Sequence, residues 1–229
     1  MIQRNPQCQS IDTVIFDCDS TLAAIEGVDE LAQRAGVGDE IRRLTAAAMD
    51  GDTKLEDVYG KRLDLIRPGI DDLAWLGQRY CDSIVEGARE IVARLQESGR
   101  TVYVVSGGLQ QSLAMLGAEL KIPQERVIGV PVLLTEDGKY AGYDTTAPTA
   151  RSGGKTEVIT KLVENGQRAV MVGDGVTDLE AQAVGVPVIG FGGVVTRTIV
   201  KTQAEYWVAG PSLLGVLDKI EELERQRRP

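Results

Sequence analysis

The sequence predicts an α/β protein built on a parallel sheet, with a block of helices inserted after the first strand. Three observations carry this expectation. Short apolar runs alternate with amphipathic helical runs from about residue 85 onward, the pattern of a parallel sheet with crossover helices. Between about Glu26 and Tyr80 the periodicity is helical throughout, with no strand candidate. The segments "DCDST", "SGG", "GDGVTD" and "GFGG" each follow an apolar strand, where parallel sheets place their ligands.

Taken in order, Thr13–Phe16 is the first strand. "VDELAQRAG" and "DEIRRLTAAAMDG" repeat apolar residues at three- and four-residue spacing, and each stops at glycine; "KLEDVYGKRLDLIRPG" and "DDLAWLGQRY" continue the helical texture. "GAREIVARLQESG" is an amphipathic helix ending at Gly99. "TVYVVSGG" reads as a buried strand feeding a glycine turn, and "LQQSLAMLGAEL" as the next helix. "VPVLLTEDGKYAGYD" predicts a hairpin with Asp137-Gly138 at its turn. "KTEVITKLVENG" is a helix, "RAVMVGDG" a buried strand, "VTDLEAQAV" a helix and "VPVIGFGG" a further strand.

Composition narrows the chemistry. The 229 residues suffice for one sizeable domain, or a core with a smaller insertion. A net charge of −9, with no basic run beyond the short tail "ERQRRP", argues against nucleic acid as a partner. No apolar run approaches the roughly 20 residues that cross a bilayer, and "MIQRNPQCQS" lacks the apolar segment of a secretory signal. Cys8, Cys18 and Cys81 are scattered and odd in number, which suits a reducing cytoplasm. Monomer and homodimer are both compatible with the sequence. Histidine is absent, which removes Ser-His-Asp chemistry and His-ligated zinc.

What remains is carboxylate chemistry. On an extended chain Asp17 and Asp19 point to one side, and such a pair can hold a divalent cation or divide the work of nucleophile and acid/base. An Asp-turn with Ser20 or Thr21 capping a helix is the plainer alternative. Asp174 leaves a second strand and Asp178 follows four residues later, either as part of the same site or as an acid in a helix's first turn. Oxygen ligands without histidine or a cysteine cluster suit Mg²⁺ better than zinc. Ser106-Gly107-Gly108, between a strand and a helix, can meet an anion or simply cap and turn. Lys155 opens a helix, where the macrodipole disfavours a cation, so an anionic contact is expected of it.

The motifs "DxDST", "SGG", "SGGK" and "GDGxTD", in this order, resemble those of the haloacid dehalogenase superfamily, and of its phosphoserine phosphatase branch in particular. "EGVDELA", "RLDLIRPG", "GDGVTDLEA" and "IGFGG" followed by Arg197 extend the similarity over roughly residues 12–208. The resemblance implies a doubly wound, Rossmann-like core (residues 1–24 and 82–229) with an inserted helical cap (25–81) that sets specificity. It implies Asp17 as nucleophile, Asp19 as general acid and then base, and Mg²⁺ held by Asp17, the Asp19 carbonyl and Asp174, supported by Asp178. Ser106, Gly107 and Lys155 would bind phosphate, with Thr177 near the metal. Glu26 would hold an ammonium group, Arg62 a carboxylate and Met49 a methylene, with Arg197 close by. The implied activity is hydrolysis of a small phosphorylated metabolite, phosphoserine above all, in serine biosynthesis. One departure bears on substrate: the family usually has Met-Gly-Gly or Met-Arg-Gly where this chain reads Met49-Asp50-Gly51. The added acid leaves open the same chemistry on another amino-acid or polyol phosphate. A non-catalytic binding protein on this fold would be expected to carry a damaged motif, and all four motifs are intact.

Overall fold

The computed structural model describes residues 10–49, 55–164 and 166–226. Asp50 and Gly51 lie outside the described residues, as does the side chain of Met49. The first strand, β1 (Thr13–Phe16), is followed by four helices: α1 (Gly27–Arg34), α2 (Gly38–Met49), α3 (Leu55–Ile66) and α4 (Ile70–Asp82). Then come α5 (Ala88–Glu97), β2 (Thr101–Leu109), α6 (Gln110–Glu119), β3 (Val127–Val130), β4 (Val132–Leu134) and β5 (Tyr140–Tyr143). The chain continues through α7 (Gly154–Val163), β6 (Ala169–Gly173), α8 (Val176–Leu179), β7 (Val188–Phe191), α9 (Thr198–Gln203), β8 (Tyr206–Val208) and α10 (Gly215–Gln226).

Six strands pair in parallel in the order β3-β2-β1-β6-β7-β8. Alternation along the strands shows why helices must cover both faces. Val14 and Phe16 enter one core with Val104, Val172 and Phe191, while Ile15 enters the other with Val105, Met171 and Val188. Fully burying Phe16 or Ile15 stabilises the fold by about 1.5–3 kcal/mol each. The sheet grows outward from β1 through β2 to β3, then restarts on the other side with β6, β7 and β8. The reversal opens a crevice at the carboxyl ends of β1 and β6.

The structure departs from the sequence reading in three places. β3 and β8 are additional strands at the two edges of the sheet. Ser106-Gly107-Gly108 does not open a helix: β2 continues through it to Leu109, which pairs with Val130 of β3 after an irregularity, and α6 begins at Gln110. "VTDLEAQAV" is a single turn of α8 followed by a 3₁₀ segment, Glu180–Val184, closed by Gly185 at φ 75°. The hairpin is present as antiparallel β4 and β5.

The helical block joins the sheet domain through two linkers that run side by side. Ala24 donates its N–H to the Ser83 carbonyl, and Val85 donates to Leu22. Beyond them, α3 leans on the hairpin, with the Tyr59 and Tyr143 rings 5.4 Å apart and the Tyr140 hydroxyl 3.2 Å from Asp64 Oδ1. At the start of α4, Ile70 N–H donates to the Gly138 carbonyl. Among the described residues no helix is long and apolar enough to cross a membrane.

Candidate active site

β1 ends at Phe16, so Asp17 and Asp19 do not share a face by strand alternation. They sit in a turn in which the Cys18 carbonyl accepts the N–H groups of Thr21, Leu22 and Ala23. Ser20 takes a left-handed φ of 53°, uncommon for a residue with a side chain. Neither Ser20 nor Thr21 caps a helix. The Ser20 hydroxyl donates to Glu26 Oε1 (2.7 Å), and the Thr21 hydroxyl donates to Asp174 Oδ1 (3.2 Å). The polar side chains of the turn thus point into the crevice, and the capping alternative falls away.

Lys155 binds the two acidic segments together. Its buried Nζ lies 2.7 Å from Asp17 Oδ2 and 2.6 Å from Asp178 Oδ1. Burial alone would lower the Lys155 pKa, but Asp17 and Asp178 together raise it, so the ammonium stays charged. The same charge is shared between two carboxylates. Asp178 therefore has its pKa raised, by burial first and by Asp17 next, with Lys155 opposing only in part. Asp178 is further fixed by the Gly175 N–H, which donates to Oδ2 at 2.9 Å. A Cβ at Gly173 would lie 2.0 Å from that oxygen, so the strand end must be glycine for the carboxylate to tuck beneath it.

Asp174 leaves β6 beside Asp17. Its Oδ2 accepts from Arg197 Nε at 3.0 Å, and a second Arg197 nitrogen reaches Glu26 Oε1 at 3.3 Å. Burial and the Asp17 charge raise the Asp174 pKa against the pull of Arg197. Carboxylate oxygens of Asp17, Asp174 and Asp178 lie within 4.8 Å of one another. This cluster is all oxygen and carries more negative charge than Lys155 and Arg197 offset, a donor set that fits a hard divalent cation. The Cys18 thiol beside it is kept neutral by burial and by Asp19 and Asp17.

Asp19 is set apart from the cluster. Its Oδ1 accepts from the Tyr80 hydroxyl at 2.7 Å, and it is also bonded by the Gly27 N–H. Burial and the Glu26 charge push its pKa up to about 8, against those two donors. Ser106 is buried at the end of the neighbouring strand, with its hydroxyl accepting from the Gly108 N–H at 3.1 Å. Thr177 is half-buried in the first turn of α8.

From the helical block, α3 brings Tyr59 and Arg62. The Tyr59 hydroxyl donates to the Gly107 carbonyl at 2.7 Å, and the Arg62 guanidinium lies 5.5 Å from the Tyr59 ring centroid. Arg62 Nε is buried with no hydrogen-bond partner among the described residues, and burial lowers the Arg62 pKa. The sequence reading missed Tyr59 and Tyr80. Each lies on a helical segment whose periodicity explains it as core packing, so only the fold shows where its hydroxyl points.

The family profile for haloacid dehalogenase-like hydrolases matches residues 11–184. The chain belongs to this family. A curated phosphoserine phosphatase from Bos taurus is 40% identical over 219 residues, covering 94% of this chain and 97% of that protein. Among solved structures, a phosphoserine phosphohydrolase-like protein from Francisella tularensis subsp. tularensis SCHU S4 superposes with a TM-score of 0.78 at 25% identity, over 90% of this chain and 99% of that one. A structure described as a phospho-aspartyl intermediate analogue of phosphoserine phosphatase superposes with a TM-score of 0.76 at 26% identity, over 92% and 99%. The segments that carry the resemblance lie as follows: "DCDST" forms the Asp17 turn, "SGG" the end of β2, "SGGK" the start of α7 and "GDGVTD" the turn after β6.

Proposed function

We propose that the protein is a Mg²⁺-dependent phosphomonoester hydrolase that releases L-serine and phosphate from phosphoserine through an aspartyl-phosphate on Asp17. The observation that carries this reading is the division of the two acids. Asp17 is paired with Lys155 beside Asp174 and Asp178, whereas Asp19 stands outside that cluster with its carboxyl hydrogen-bonded by the Tyr80 hydroxyl, in surroundings that raise its pKa. One carboxylate is placed for nucleophilic attack, and the other keeps a proton to give.

Mg²⁺ would be held by Asp17 and Asp174 with the Asp19 carbonyl, and Asp178 supports that shell from outside through Lys155. When bound, the ion offsets the repulsion between the Asp17 carboxylate and an anionic phosphate. Lys155, Ser106 and the backbone at Gly107 bind the phosphoryl oxygens as charge shifts among them. Asp17 attacks phosphorus, Asp19 protonates the leaving seryl oxygen, and Asp19 then takes a proton from the water that hydrolyses the acyl phosphate. Thr177 lines the same edge.

Residues 25–81 act as a cap over the core formed by 1–24 and 82–229, hinged at the paired linkers. Glu26 receives the substrate ammonium and Arg62 its carboxylate, with Met49 against the methylene and Arg197 holding Glu26 and Asp174 in register. Arg62 Nε, buried with no acceptor among the described residues, supports this assignment, because a buried donor without an acceptor is costly until a ligand supplies one. The site takes a small phosphorylated metabolite.

The test is kcat/KM for phosphoserine, phosphothreonine, phosphoethanolamine and glycerol phosphate with Mg²⁺, with EDTA abolishing turnover. Arg62→Ala should lower kcat/KM for phosphoserine about 100-fold, the loss expected for a desolvated bidentate carboxylate contact, and change phosphoethanolamine by less than about 3-fold. Equal losses on both substrates would remove the carboxylate assignment.

A further inference from the structure

We infer that Tyr80 is the positioning residue for Asp19: its phenol, carried in by the last turn of α4, fixes the Asp19 carboxyl in the orientation from which it protonates the leaving oxygen. The inference rests on the proposed role of Asp19 and extends it to a side chain that does not itself touch substrate.

Asp19 needs such a partner because of where it sits. It lies beyond the end of β1, in a turn with Ser20 at a positive φ, so no strand pleat or helix fixes its side chain. The Tyr80 hydroxyl donates to its Oδ1 at 2.7 Å. Tyr80 is fully buried, so water does not compete for that bond.

The surroundings leave room for this hydroxyl. A Cβ at Gly27 would lie 2.0 Å from the phenol oxygen, and one at Gly108 would lie 3.2 Å from it. Gly27 also supplies the second donor to Asp19, its own N–H. α4 ends at Asp82, directly before the linker residues Ser83 and Val85 that pair with Ala24 and Leu22. Tyr80 thus stands next to the joint between the helical block and the core.

The arrangement separates the two oxygens of one carboxyl. Oδ1 accepts from Tyr80, and in the proposed role Oδ2 carries the proton. In the first step an Asp17 oxygen forms a bond to phosphorus and the bond from phosphorus to the seryl oxygen breaks. The Oδ2 proton passes to that seryl oxygen, and Asp19 is left as a carboxylate still bonded to Tyr80. The phenol keeps its own proton throughout. Small misplacements of a reacting group cost rate out of proportion to their size, which is what a fixed carboxyl avoids.

Leaving-group dependence distinguishes this role from a structural one. An alkoxide needs a proton as it departs, whereas p-nitrophenolate does not, and kcat/KM reports the steps up to departure. Both substrates are assayed with the Mg²⁺-loaded wild type, Tyr80→Phe and Asp19→Asn. Complete loss of a general acid costs about 10²–10⁴-fold. Tyr80→Phe, which mispositions the acid and leaves it present, should therefore lower kcat/KM for phosphoserine about 10- to 100-fold and that for p-nitrophenyl phosphate less than about 3-fold. Asp19→Asn should show the same asymmetry more strongly. If Asp19→Asn is asymmetric and Tyr80→Phe lowers both substrates alike, or neither, the Tyr80 inference is overturned while the role of Asp19 stands. If Asp19→Asn itself lowers both alike, the proposed role of Asp19 is wrong and the inference goes with it. Should Tyr80→Phe fail to fold, Gly27→Ala, whose methyl would displace the phenol oxygen, is held to the same criterion.

Discussion

Asp19 stands in surroundings that oppose its charge. Burial and Glu26 raise its pKa from the ordinary 3.8 to about 8, so the folded protein binds its proton more tightly than the unfolded chain does. The stability this contributes is fully present below pH 3.8 and is lost as pH rises towards 8. Asp19→Asn removes the titration and keeps an oxygen for Tyr80 and Gly27. The metal-free variant should therefore be more stable than metal-free wild type at pH 8, by up to about 5 kcal/mol, with the difference vanishing near pH 4. Urea unfolding at the two pH values reads this directly, and an equal difference at both would show that Asp19 is not desolvated as described. The acids themselves were legible in the sequence because strand ends, spacing and the absence of histidine left few other uses for them. Their partners were not. Thr21 and Ser20 read as plausible caps, and Tyr80 as one apolar position on a helix. A hydroxyl's target depends on contacts between residues as far apart as 19 and 80, and no local pattern encodes those.

At the scale of elements, polar contacts tie the helical block to the core, and Tyr59 makes one of them. Its hydroxyl donates to the Gly107 carbonyl, joining α3 to the end of β2. Tyr59→Phe keeps the ring packing against Tyr143 and removes only that bond. The expected cost is about 1 kcal/mol, a fall of roughly 2–4 °C in Tm for a chain of this size. An unchanged Tm would mean that the contact contributes nothing to the attachment. The interior strands and the long helices followed their periodicity. The edge strands β3 and β8 did not stand out, because runs of four and three residues beside turns carry too few positions to show alternation. The same shortfall hid the true end of β2. Ser106-Gly107-Gly108 has the composition of a turn, and it stays extended because β3 pairs with Leu109 beyond it.

For the whole molecule, the doubly wound sheet explains why Asp17 and Asp174 meet, because β1 and β6 are neighbours at the reversal of strand order and both end at the crevice, where Lys155 from the start of α7 joins them. The four motifs gave this much in sequence order, and the helical block was visible as the long interval without strands. Asp50 lies outside the described residues, so its bearing on substrate choice is a matter for the substrate panel. The central claim is that Asp17 becomes covalently phosphorylated. Its most direct test is acid quenching of the Mg²⁺-loaded enzyme during turnover of phosphoserine, followed by borohydride reduction and peptide mass spectrometry. Reduction of an aspartyl-phosphate yields homoserine, which should be found at position 17 and should be absent in Asp17→Asn. Turnover that continues with no modified residue at position 17, or with the modification at another residue, would contradict the account.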